Sequence, residues 1–276
     1  MTEKHSPSIL PISGRREIVT PSMSAQASLY PLRVSTIYPG GVNGADILYC
    51  CEVDKGGTFY CKADKDGRLI RATEWLCTHL AAHLNIVTAE CAAIEDPHSG
   101  DTLFGSRQIL SPASDFEAAK FLNTPQLGEL GQPSEWPGAY LSGLYALDMF
   151  LNNPDRGKQN FFLQREGLRQ RLFAFDFASA RLDNLAGKNF PIASSATVGI
   201  GRFLRRKHGF FQRSAFEMID RIAVIPAETI ATFLGSMPKD WMSSEQREGI
   251  CELWSGKRIG GRLMALRTGI ADESLL

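Results

Sequence analysis

One transition constrains this chain more than any other: a strongly apolar run, Tyr140 to Phe150, stops dead at the polar cluster Asn152-Asn153-Pro154-Asp155. The run is long enough for three helical turns and apolar enough to be buried. Pro154 cannot continue a helix, so the chain must leave it there. Two short β-rich runs follow, Phe161–Leu163 and Leu172–Phe175, spaced as the arms of a hairpin. A buried helix, a polar loop and a small hairpin therefore come in direct succession.

That layout gathers three polar side chains. Asp155 and Asn160 stand in D-x-x-x-x-N, and Asp176 follows sixteen residues after Asn160, at the end of Leu172-Phe173-Ala174-Phe175. The predicted hairpin brings all three to one mouth. Phosphoryl transfer asks little more of a protein. One carboxylate orients or deprotonates the attacking hydroxyl, and an Asn and a second Asp hold Mg²⁺ against the phosphates of ATP. A chain of this length holds about one D-x-x-x-x-N by chance, so the weight lies in the context. Read singly, Asp155 is a turn residue paired with Arg156, Asn160 a side-chain cap, and Asp176 an N-cap before Ala178.

The two halves of the chain differ in pattern. Strand-like runs cover Leu32–Tyr38, Ile47–Val53 and Thr58–Ala63, with a helix from about Ala72 to Leu84 and a hairpin across 92–110. From 114 onward helices dominate, with three patterns at 201–222, 226–234 and 243–267 and a loop over 181–200. The expected fold is α+β: residues 29–113 as a small antiparallel β-rich lobe with one helix, 114–276 as a mainly helical lobe carrying the hairpin. Residues 1–28, rich in Ser, Pro and charge, are expected to form a flexible tail.

Within the first half, Lys62 sits in the run Thr58–Ala63, and Glu74 lies twelve residues on, at the start of the predicted helix. A strand lysine is most often solvated. Paired with a helix glutamate, it can instead place a cation on ATP phosphates. Gly40, Gly41 and Gly44 form a glycine-bearing loop between the first two strands, able either to lay N–H groups over phosphates or simply to connect a hairpin.

With these residues in view, the sequence resembles the HipA-like kinase family, a branch of the protein-kinase-like superfamily with distant similarity to phosphatidylinositol 3- and 4-kinases. The resemblance spans about 45–182. It rests on Phe59-Tyr60-Cys61-Lys62, on Glu74 and the helix after it, and on Phe104-Gly105-Ser106-Arg107. Most of all it rests on Ala146-Leu147-Asp148 through Asn160-Phe161-Phe162-Leu163 and on Ala174-Phe175-Asp176. It implies a two-lobed kinase fold and Mg-ATP as cofactor. Lys62 would bind phosphates with Glu74 as its partner, Asp155 would be the catalytic carboxylate, and Asn160 and Asp176 the metal ligands. Gln108 to Leu110 would be the hinge against adenine. Two positions depart from the family pattern: Gly157 stands where a His usually follows Asp-Arg, and Phe177-Ala178 replaces the His-Gly or similar pair after the metal Asp. These departures leave a pseudokinase, acting as a nucleotide-binding regulatory or toxin–antitoxin-like module, as the competing reading. A small-molecule or lipid kinase is a third.

Charge excludes other classes. The chain has 30 Lys plus Arg and 30 Asp plus Glu, so no net field draws it to nucleic acid or an acidic membrane. The expected partner is a protein or small-molecule substrate. One local exception is the basic stretch Arg202-Phe203-Leu204-Arg205-Arg206-Lys207-His208, which serves either as a solvated helix face or as a contact for an acidic ligand. The six cysteines include no C-x-x-C pair and are expected as buried free thiols. His79 and His83 lack a third metal ligand, and Trp136-Pro137-Gly138 is expected to be a helix entry anchored by the Trp. With no apolar run of membrane-spanning length and no signal sequence, a cytoplasmic protein is expected.

Overall fold

The computed structural model describes residues 30–38, 44–167, 169–181 and 189–276. The tail 1–28 and two of the loop glycines, Gly40 and Gly41, lie outside the described residues. Gly44 is exposed and its carbonyl accepts from Ile47 N at 3.3 Å.

The first half is built on five strands: β1 (Leu32–Tyr38), β2 (Ile47–Val53), β3 (Thr58–Lys62), β4 (Cys91–Glu95) and β5 (Thr102–Arg107), with α1 (Ile70–His83) between β3 and β4. The strands follow the order β1-β2-β3-β5-β4 and close into a barrel. Closure comes from a parallel pairing of β1 with β4, Leu32 opposite Ile94 and Arg33 opposite Glu95. This corrects the expectation of a wholly antiparallel sheet. Local alternation locates strands, but it does not reveal that two strands far apart in sequence meet.

Alternation along β3 explains where Lys62 goes. Phe59 and Cys61 point into the barrel, where they pack with Cys51, Val53, Ile94 and Leu103. Gly105 on β5 is small for a reason: a Cβ there would meet Ile94 Cγ1 at 2.5 Å. Lys62 faces the opposite way, out of the barrel, and α1 covers it. It is 7% exposed.

The second half is helical: α2 (Asp115–Asn123), α3 (Glu135–Phe150), α4 (Ala196–Lys207), α5 (Gln212–Ala223), α6 (Ala227–Gly235), α7 (Ser244–Ser255) and α8 (Lys257–Ala271). Between α3 and α4 lies the hairpin β6 (Phe161–Glu166) and β7 (Arg169–Ala174), preceded by a 3-10 turn at Lys158–Asn160. The pattern across 201–222 is two helices. Gly209, at φ +72°, breaks it, a left-handed turn that glycine adopts without strain. The pattern across 243–267 likewise divides, at the extended Gly256. The expected loop 181–200 ends early because Ser195 caps α4, accepting from Val198 N at 3.2 Å.

Trp136 has extended φ/ψ and helical geometry begins after it. Its ring lies 5.4 Å from that of Phe121 but remains 38% exposed, so it is a half-buried anchor at most. His79 lies tilted against the Phe233 ring and His83 meets it edge-on. No cluster of three or more metal-ligating side chains occurs among the described residues. The six cysteines are free, Cys91 and Cys251 only partly buried. No helix among the described residues is long and apolar enough to cross a membrane.

α1 joins the barrel to the helices. Its Trp75 Nε1 donates to Phe233 O at 3.1 Å, and its ring meets Trp241 edge-on at 5.6 Å. Trp241 Nε1 in turn donates to Thr102 Oγ1 on β5 at 2.8 Å. The apolar face of α1 belongs to the same core as α3, α4, α5 and α8.

Candidate active site

The site lies where α1, β3, the 3-10 turn and the end of β7 converge. Lys62 Nζ donates to Glu74 Oε1 at 2.5 Å and to Asp176 Oδ1 at 2.8 Å. The other Glu74 oxygen accepts from the backbone N–H of Phe177 at 3.1 Å. The other Asp176 oxygen accepts from Asn160 Nδ2 at 3.1 Å. Five polar groups from four segments thus form one chain: Phe177 N–H, Glu74, Lys62, Asp176, Asn160.

Burial sets their charges. It works against the Lys62 ammonium, but the two carboxylates outweigh it and raise its pKa above an ordinary lysine's. Burial also works against the Asp176 carboxylate, yet Lys62 lowers its pKa overall. Glu74, fully enclosed, has its pKa raised by burial, with Lys62 opposing. Asp176 holds φ +64°, a left-handed conformation that costs a non-glycine residue about 1 kcal/mol or more. The bonds from Lys62 and Asn160 to its carboxylate, and from the next residue's N–H to Glu74, hold that geometry.

The loop carrying Asp155 is fastened from below. Arg156 does not pair with Asp155. It turns inward, 1% exposed, and grips Asp148 on α3 with both arms, Nε to Oδ2 at 2.8 Å and Nη2 to Oδ1 at 3.0 Å. Its Nη1 donates to the carbonyls of Phe175 and Asn160. Asn153 Nδ2 donates to Asp148 Oδ1 at 2.8 Å, and Asn153 Oδ1 accepts from Asp155 N at 3.3 Å. Thr197, in the first turn of α4, takes the Arg156 N–H on its hydroxyl at 3.0 Å and donates to Asn153 O at 2.6 Å. Asp148, Arg156 and Thr197 were not read as site residues from sequence. Asp148 had a signal: it is the one charged residue in an apolar helical run.

Asp155 itself is exposed, and among the described residues no hydrogen bond or ion pair engages its carboxylate. The structure therefore brings Lys62, Glu74, Asn160 and Asp176 into direct contact, with Asp155 in the adjoining loop. Asn160 does act as a cap: its Oδ1 accepts from Gly157 N at 2.7 Å. Asp176 caps no helix, since Ala178 enters only a turn. Gln108 and Leu110 follow β5 in the connection to α2. Gln108 N donates to Thr58 O at 2.8 Å, and Leu110 is exposed with its carbonyl accepting from Gln164.

At Gly157 a Cβ would meet only the end of the exposed Gln159 side chain, which can move aside, and the bond to Asn160 uses the backbone N–H that any non-proline residue supplies, so the fold does not require glycine there. Phe177 is fully buried beneath Arg156, whose guanidinium lies 4.6 Å from its ring.

The family model described as HipA-like kinase matches residues 35–266. This chain belongs to the HipA-like kinase family. The match runs far past the span read from motifs and takes in the helices up to α8. No curated protein matches the sequence. Among solved structures, the Helicobacter pylori proinflammatory kinase CtkA superposes with TM-score 0.55 at 12% identity, covering 86% of this chain and 96% of that one. This likeness shows a kinase-like fold of mixed helices and sheet. HipA of Shewanella oneidensis MR-1, with HipB and operator DNA, gives TM-score 0.44 at 10% identity over 76% of this chain and 60% of that one. A Golgi casein kinase with Mn/ADP bound gives TM-score 0.44 at 11% identity over 87% and 74%.

Proposed function

We propose that the chain is a two-lobed ATP-dependent phosphotransferase that moves the γ-phosphate of Mg-ATP to a hydroxyl, as a HipA-like Ser/Thr protein kinase. The barrel would serve as the nucleotide-binding lobe and the helices as the substrate lobe. The observation that carries the reading is the shared Asp176 carboxylate, one oxygen on Lys62 and the other on Asn160. A cation, an ionised carboxylate and an amide meet there, and Glu74 fixes the cation from behind.

The donor set fits a divalent ion bridged by phosphates, which needs one or two protein oxygens only. Asp176 is ionised and partly open to solvent. Asn160 keeps a second lone pair on the oxygen bonded to Gly157. Asp176 and Asn160 would hold the metal, which supplies neutralisation of phosphate charge. Lys62 would bind phosphate oxygens, Asp155 would orient the incoming hydroxyl, and Gln108 to Leu110 would border the adenine. Arg156 and Asp148 keep the loop rigid from beneath and touch no substrate.

Asp176→Ala tests the reading. It should abolish Mg²⁺-dependent nucleotide turnover while the protein still melts cooperatively. Turnover at the wild-type rate overturns the assignment.

A further inference from the structure

The catalytic-loop geometry leaves the basic stretch of α4 unexplained. Its first turn is bonded to the loop: Thr197 N donates to Pro154 O at 3.2 Å, directly beside Asp155. Lys158, three residues after Asp155, lays its ammonium 4.5 Å from the Phe203 ring on α4. Arg202, Arg206 and Lys207 are exposed and fall within one arc of the helix that includes Phe203. Arg202 Nη1 donates to Ala193 O at 3.1 Å, in the segment leading into α4. Arg205 lies on the other flank, neutralised by Glu273 at 3.0 Å. Among the described residues no other carboxylate pairs with α4.

Cations in a last helical turn offset the helix dipole. That accounts for Arg206 and Lys207 but for neither Arg202, in mid-helix, nor Lys158, on a separate element. In a chain of zero net charge, four cations gathered along one strip are a local field.

We propose that the strip Lys158–Arg202–Arg206–Lys207 is the substrate-docking surface, and that it selects protein substrates with acidic residues close to the acceptor hydroxyl. This rests on the phosphotransferase reading and adds the substrate class to it. Spacing sets the register. Arg202 to Lys207 lie five to ten residues along α4 from Thr197, about 7–15 Å at helical rise. An extended peptide covers that in about two to four residues.

The test uses Ser-acceptor peptides carrying either three Glu or three Gln at the second to fourth positions, on one side or the other of the acceptor. The acidic peptide should show a KM about tenfold lower, the scale that a few partly exposed ion pairs reach together. Raising salt should erase the difference. In Arg206→Glu/Lys207→Glu the preference should vanish, with kcat on the neutral peptide and nucleotide affinity unchanged. Fluorescence anisotropy of the labelled acidic peptide provides a reading that needs no catalysis. Acidic-peptide binding without transfer leaves the surface standing and the kinase reading fallen. Equal KM for the two peptides, or a preference retained in the double variant, overturns the proposal. So does an absence of peptide binding, including the case where a DNA oligonucleotide binds the strip instead.

Discussion

Arg156 and Asp148 form a two-pronged ion pair wholly enclosed beneath the loop that carries Asp155. The pair joins α3 to the loop, and the same guanidinium ties the loop to the carbonyls of Phe175 and Asn160. Removing either partner strands a buried charge. Asp148→Asn and Arg156→Met should each lower unfolding free energy by about 3–5 kcal/mol, and Asp148→Asn/Arg156→Met by less than their sum. Denaturant melts of the four proteins check this. Additive losses would mean the pair is not coupled.

Lys62 stands between two carboxylates, and only Glu74 is fully enclosed. Lys62→Met should weaken nucleotide binding and also destabilise the fold, because Glu74 must then take up a proton. Lys62→Met/Glu74→Gln should recover most of that stability, since Gln can still accept from Phe177 N–H. Affinity should stay low. Calorimetry for binding and thermal melting for stability separate the two effects, and recovery of affinity in the double variant would count against the phosphate-binding role.

The hairpin mouth was readable because each part of its signal is local. Proline ends the helix after Phe150, the strands flank a short turn, and Asp155, Asn160 and Asp176 sit at fixed offsets from those ends. Lys62 on a strand and Glu74 on the next helix allowed an ion pair without requiring one, since a strand lysine is most often solvated. The Asp148–Arg156 grip was hidden, because nothing in i, i+8 spacing says that a loop folds back under its own helix. The β1–β4 closure was hidden for a related reason: 62 positions separate Leu32 from its partner Ile94. The break at Gly209 was masked because a single glycine inside a helical pattern is often tolerated.

His208 gives a pH dependence. Its Nε2 donates to Leu122 O at 2.6 Å, while Nδ1 is buried with no hydrogen-bond partner among the described residues. Burial lowers its pKa, and neighbouring Lys207 adds to the effect against the opposing Leu122 bond. The unfolded chain therefore binds the proton more readily. The stability that His208 contributes is present above its unfolded pKa of about 6.5 and is lost as pH falls through the lower folded value. Each unit of depression corresponds to about 1.4 kcal/mol. Melting temperature should drop below pH 6.5 in wild type and drop less steeply in His208→Gln. Parallel profiles would assign the effect elsewhere.

Nucleotide affinity should depend on divalent metal. Asp176 is an ionised carboxylate at the place where phosphate oxygens would arrive, and its negative charge opposes them until a cation intervenes. Titration of ATP in Mg²⁺ and in EDTA should differ by at least about tenfold, the scale of one close charge repulsion at a partly open site. Equal affinities would favour a nucleotide-binding pseudokinase.

Asp155 should be dispensable for binding and required for transfer. Its carboxylate is exposed, and among the described residues no partner restrains it. The backbone on both sides is pinned, by Thr197 at Pro154 and by Asp148 through Arg156. The loop offers no substitute, because Arg156 is a cation held by Asp148, Lys158 is a cation whose exposed ammonium only donates to the neutral Asn123 amide, and Gln159 is not basic. Binding should survive Asp155→Asn, since Lys62 and Asp176 are untouched by it. Transfer should fall by about two to four orders of magnitude, the usual cost of losing a positioned general base. The isosteric amide leaves shape and folding alone, so a melting temperature equal to wild type is the control. Transfer at the wild-type rate would make Asp155 a turn residue and remove it from the mechanism.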